Sequence, residues 1–65
     1  MTDINLLKSY MIRKGLTQVD TSRFLGLSVN GFHKKLHNVS YFNSKEIEML
    51  CEKLEINNKD EVFFA

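Results

Sequence analysis

The sequence predicts one all-α domain of four to five short helices built around a helix-turn-helix, and three observations carry that prediction. Apolar residues recur at intervals of three and four, a capping Asp, Thr, Ser or Asn stands before each apolar run, and β-favouring residues cluster only at the tail. With 65 residues, no proline, 43% hydrophobic and 26% charged residues, the chain has material for a single core. Residues 1–65 therefore read as one domain, with no linker, internal repeat or low-complexity tract.

The first helix is expected from Asp3 to Lys14, with Ile4, Leu7 and Met11 on its buried face, Thr2 or Asp3 as N-cap and Gly15 as terminator. Thr17 caps a two-turn second helix whose face is expected to hold Val19, Ser22 and Leu25, and Gly26 supplies a left-handed stop. Ser28 caps the third helix, marked by Phe32 and Leu36 at i, i+4 and ending near His37. Two short helices joined through a glycine turn make a helix-turn-helix over residues 17–37. A polar loop from Asn38 to Phe42 follows, and Asn43 with Glu46 reads as a capping box for a fourth helix carrying Ile47, Leu50, Cys51 and Leu54. Asn58 with Glu61 caps one last turn. The tail of Val62, Phe63 and Phe64 is left with three readings: packed on the core, short and extended, or exposed for a partner.

Charge is divided by halves. Residues 1–42 hold six lysines and arginines against two aspartates, a net of +4, whereas residues 43–65 hold three lysines against six acids, a net of −3. From Thr21 through Lys45 there is no carboxylate, while Arg23, Lys34, Lys35 and Lys45 are cationic and His33 and His37 titrate. Such a stretch suits a polyanion, although a solvated basic face without a partner has the same composition.

Other chemistries are poorly served. The lone Cys51 cannot form a disulfide within the chain, which fits a reducing cytoplasm, and it shares the apolar stripe of the fourth helix, so packing is expected of it. The apolar residues near the start are broken by Lys8 and Ser9, far short of a membrane span, and no targeting segment is visible. His33 and His37 have metal-ligand spacing, but Lys34 and Lys35 lie between them and no nearby acid or cysteine completes a site. Gly26 and Gly31 are followed by Phe32 and His33 where a phosphate-binding loop needs Lys and Ser or Thr, and GLSVNG is one residue too long for a serine nucleophile elbow. Glu46, Glu48, Glu52 and Glu55 read as a solvated helix face. No enzyme, metal or cofactor is expected.

The segment TQVDTSRFLGLSVNGFHKKLHN resembles the helix-turn-helix of Cro/cI-type phage regulators, the xenobiotic-response-element family with its lambda-repressor-like domain. Gln18 opening the second helix, small Ser22 at the helix crossing, Leu25, Gly26, Leu27, the capping Ser28, and apolar Phe32 and Leu36 carry the likeness. It extends over nearly the whole chain and is nearest to short Gram-positive prophage proteins that end in a double phenylalanine. Two positions depart from the pattern. An arginine in the first helix and a glutamate late in the third, an ion pair in many members, correspond to Met11 and Leu36; both ends are apolar, a replacement that leaves no unpaired charge. Ser22 stands where alanine is usual, and its hydroxyl can bond a carbonyl of its own helix.

The resemblance implies that the third helix enters the major groove of operator DNA, with Ser28, Val29, Asn30, His33 and Lys34 at the base edges. Asn30 suits adenine, Lys34 guanine and Val29 a thymine methyl. Gln18 is similar to the family's phosphate-binding glutamine, at a helix N-terminus that itself favours phosphate. Lys35, His37, Asn38, Ser40, Tyr41 and Lys45 lie where the DNA backbone would pass. Gly31 costs about 1 kcal/mol within a helix relative to alanine; close approach to DNA and tolerated weakness are both open readings. The implied protein is a transcriptional regulator of the lysogenic/lytic switch in the bacterial cytoplasm, binding a near-palindromic operator as a homodimer, with Val62, Phe63 and Phe64 as the expected self-association surface. The alternative is a modulator, antirepressor or corepressor, that binds a phage repressor protein instead of DNA; the near-neutral net charge and the acidic fourth helix motivate it.

Overall fold

In the computed structural model, which describes all of Met1–Ala65, five helices follow one another without any strand: α1 (Ile4–Arg13), α2 (Gln18–Leu25), α3 (Val29–Leu36), α4 (Ser44–Leu54) and α5 (Lys59–Phe63). None is long and apolar enough to cross a membrane. The starts are set by side chains. Asp3, Thr17, Ser28, Asn43 and Asn58 each accept a hydrogen bond from an N–H three residues on, and Thr17–Asp20 and Asn43–Glu46 form full capping boxes. Gly26 ends α2 in the left-handed conformation at φ 72°, and the Leu27 N–H then donates to the Ser22 carbonyl at 2.9 Å.

One core fills the space between the helices. Leu7 and Met11 of α1, Leu25 of α2, Phe32 and Leu36 of α3, and Ile47, Leu50 and Leu54 of α4 meet Phe42, Ile56, Val62 and Phe63. Met11 and Leu36 both lie in this core. Phe42, expected in a polar loop, is buried: its ring packs against Phe32 and Phe63 at centroid distances of 6.0 and 5.6 Å.

The tail belongs to the core as well. Val62 and Phe63 are buried, and the Val62 carbonyl accepts from the Asp3 N–H at 2.7 Å, so α5 is fastened to the start of α1. Of the three readings of the tail, packing on the core holds for Val62 and Phe63, which are therefore not free for self-association, and only Phe64 remains open to solvent. The free apolar surface lies elsewhere, at Ile12, Val39, Tyr41 and Met1.

α2 differs in detail. Thr21, Ser22 and Leu25 are buried and Val19 is exposed. At 100° per residue the inward face centres between Gln18 and Leu25, which leaves Val19 roughly 110° away. The two buried hydroxyls are satisfied inside their own helix, Thr21 donating to the Thr17 carbonyl at 2.9 Å and Ser22 to Val19 at 2.8 Å. No buried polar side-chain atom in the protein lacks a partner.

Beyond α3 the chain reverses at Asn38, which holds φ 62°. Its side-chain oxygen accepts from the Thr2 N–H at 2.7 Å and its amide donates to the Thr2 carbonyl at 3.0 Å, a two-bond clamp between the end of α3 and the N-terminal segment. Asn38→Ala should therefore lose both bonds and strain the backbone, a destabilisation of about 2–3 kcal/mol. Asn38→Gly keeps the left-handed backbone and should lose about 1 kcal/mol less. Urea unfolding midpoints at unchanged slope measure both, and equal losses for the two variants would refute the left-handed requirement.

Candidate nucleic-acid interface

α3 is held by one stripe and leaves the rest of its surface free. Ser28 accepts from the Gly31 N–H at 2.9 Å to start the helix, and Phe32 and Leu36 are wholly buried. Ser28, Val29, Asn30, His33 and Lys34 are all exposed, so the five residues expected at base edges occupy the outer face and early turn of one short helix. Gly31 lies among them. A Cβ there would meet only the Ser28 hydroxyl oxygen, at 3.0 Å, and no other part of the protein; the crowding is with the cap itself. The core makes no demand for glycine at this position.

Around α3 the flanking residues divide into free and engaged. Gln18, the first residue of α2, is half-buried behind the Thr17 cap. Ser40 is half-buried, Tyr41 stands 80% exposed, and Lys45 is exposed in the first turn of α4. His37, the C-cap of α3, is exposed, and its ring lies 4.1 Å from that of His33, the planes inclined by 35°. Desolvation, then the charges of His33 and Lys8, holds the His37 imidazole below its ordinary range. Asp20, the last acid before Glu46, is tied up in the capping box of α2; the bond its carboxylate accepts from the Thr17 backbone N–H, with the Thr17 side chain beside it, lowers its carboxyl.

Two residues expected at phosphates are already engaged. The Lys35 ammonium donates to both oxygens of Glu46, at 2.7 and 2.8 Å, with the pair largely buried between α3 and α4. Glu46, expected on a solvated acidic face, is buried, and it also accepts from the Asn43 N–H at 2.9 Å. Asn38 is taken by Thr2, as above. Neighbouring Lys34 makes no ion pair, while Lys14, the C-cap of α1, pairs with Glu55. Adjacent lysines thus have opposite fates, because Glu46 in the first turn of α4 meets Lys35.

The other features are apolar. An open groove of about 290 Å³ lies between Met1, Thr2, Tyr41, Phe42, Ile47, Phe63 and Phe64, beyond the C-terminal end of α3. A second, of about 320 Å³, lies beside Lys8, Met11, Ile12, Leu16, Thr17 and Gln18. Cys51 is half-buried; burial pushes its thiol up, partly countered by Lys59, which is the opposite of an activated nucleophile. No group of three or more His, Cys, Asp or Glu side chains assembles as a metal site.

No family model, curated protein or solved structure matches the chain. Its chemistry is therefore read from its own surface.

Removing one partner of the Lys35–Glu46 pair should expose the difference between adjacent lysines. Lys35→Met strands a buried carboxylate and is expected to cost about 1–3 kcal/mol. Lys34→Ala should stay within about 0.5 kcal/mol of the parent. Lys35→Met combined with Glu46→Gln should recover part of the loss, and thermal unfolding of the three variants checks the order.

Proposed function

We propose that this chain is a DNA-binding transcriptional regulator of the Cro type, laying α3 in the major groove of an operator. The observation that carries the reading is the division of α3: two buried anchors hold it, and a face of Val29, Asn30, His33 and Lys34, inside a segment free of carboxylates from Thr21 to Lys45, is left to solvent. A helix of eight residues spans about 12 Å, enough to reach base edges over one groove passage. Asn30 would pair with adenine, Lys34 donate to guanine and Val29 touch a thymine methyl, with Ser28 at the helix start. Gln18, Ser40, Tyr41 and Lys45 would follow the phosphates on either side.

The protein measures 26 × 24 × 20 Å, so one copy cannot reach two major grooves a DNA turn, about 34 Å, apart. The reading includes a homodimer on a near-palindromic operator, one copy for each half-site. Its contact surface would be the groove edged by Met1, Tyr41 and Phe64, in place of the buried Val62 and Phe63. The reading includes the lysogenic/lytic switch of a prophage in a bacterial cytoplasm, with no catalytic role and no cofactor. A second reading, a modulator that binds a phage repressor protein, draws on the outward carboxylates Glu48 and Glu52 of α4 and on the exposed Ile12.

The test is fluorescence anisotropy with a labelled duplex from the protein's own promoter region and a scrambled duplex, each over a salt series. Promoter DNA should bind at least 10³-fold more tightly than scrambled DNA, and affinity should fall steeply with salt. Asn30→Ala and Lys34→Ala should each remove about 1–3 kcal/mol of discrimination, while Gln18→Ala weakens both duplexes alike. Equal weak binding to both, with a repressor captured in its place, would transfer the assignment to the modulator.

A further inference from the structure

α3 carries two histidines one turn apart, and they are the only two in the chain. Their rings are stacked at 4.1 Å, and both side chains are exposed. The charge of Lys8, on α1, acts on His37. Lys8 makes no ion pair within the chain, unlike Lys14 and Lys35, which are matched by Glu55 and Glu46. The structure thus gathers an ammonium and two imidazoles from two helices and supplies no anion to them.

We propose that Lys8, His33 and His37 form a proton-coupled clamp for one backbone phosphate of bound duplex DNA. The inference rests on the DNA-binding reading above, and it moves His33 from the base edges to the DNA backbone. In the free protein partial desolvation first, then the neighbouring His33 ring and the Lys8 ammonium on α1, oppose protonation of His37. A phosphate oxygen settling against the pair reverses that balance. One proton passes from solvent to a ring nitrogen of the pair, turning a neutral imidazole into an imidazolium that donates to the phosphate; the negative end of α3 favours the cation at its C-cap. Charge and protons balance, with one phosphate charge neutralised by one proton taken up.

The sign follows. A group that gains affinity for a proton on binding makes binding tighter as pH falls, through the window between its free and bound values. Apart from the N-terminal amine, no other side chain has an ordinary value between pH 5.5 and 7.5, so the two histidines dominate that range.

The experiment measures anisotropy with the promoter duplex and the scrambled duplex from pH 5.5 to 7.5 at fixed ionic strength, for the parent, His33→Gln, His37→Gln and the double variant, with circular dichroism to confirm each fold. The parent should bind both duplexes about tenfold more tightly at pH 5.5 than at 7.5, since a phosphate contact does not depend on sequence. The double variant should lose that dependence on both duplexes. Proton NMR of the imidazole C–H resonances should show the His37 titration moving upward in the complex. Affinity that is flat with pH in the parent, or equally steep in the double variant, overturns the clamp and leaves the regulator standing. Failure of both duplexes to bind at any pH overturns both.

Discussion

Everything about this fold turns on how little of α3 is buried. Phe32 and Leu36 are the only residues of the helix with no access to solvent, and they insert at i, i+4 into a core that five helices share. Each burial is worth about 1.5–3 kcal/mol relative to exposure, too little to fix the direction of an eight-residue helix unaided. Polar ties on either side of the apolar stripe supply the rest: Lys35 to Glu46 on α4, and Asn38 to Thr2 in the N-terminal segment. The helix is therefore fixed in rotation by side chains that face inward or sideways, which leaves its outer surface without a structural task.

That arrangement divides the ties of α3 by chemistry. Met11 and Leu36 join α1 and α3 through the apolar core, and the ion pair of α3 runs to α4. A buried pair gains little over a well-packed apolar one, provided no charge is left alone. Glu46 meets that condition with three hydrogen bonds, two from Lys35 and one from the Asn43 N–H, so it serves at once as capping residue and as counter-ion. A second acid would be redundant there.

Features of short range were legible in the sequence. All five helices begin at a residue whose side chain caps it, and Gly26 turns where a left-handed residue is needed, because caps and turns depend on a few adjacent residues. The exposed face of α3 was legible for the same reason, as the complement of the Phe32–Leu36 stripe. Residues decided by distant parts of the chain were not. Phe42 stands in a polar run and is buried only because Phe32 and Phe63 meet it; Val62 and Phe63 read equally well as a free tail until Asp3 is placed beside them. Lys34 and Lys35 are identical in composition and adjacent, and only the course of α4 separates an open cation from a buried one. Lys8 gave no local signal, because His37, on which its charge acts, belongs to another helix.

The ends of the chain touch. The Ala65 N–H donates to the Met1 carbonyl at 3.0 Å, and the Met1 amine donates to the Ala65 carbonyl at 3.2 Å. With Asp3 bonded to Val62, the polypeptide is nearly a ring, whose cyclic order of helices matters more to the core than the point at which the ring is cut. α2 and α3 close over a three-residue turn and can assemble early, while the contacts that complete the ring carry the largest loop-closure entropy of any in the molecule. Ring closure and the mounting of α3 meet at Thr2, which the Asn38 clamp holds. Loosening the terminal seam therefore reaches the outward-facing helix through a single backbone segment.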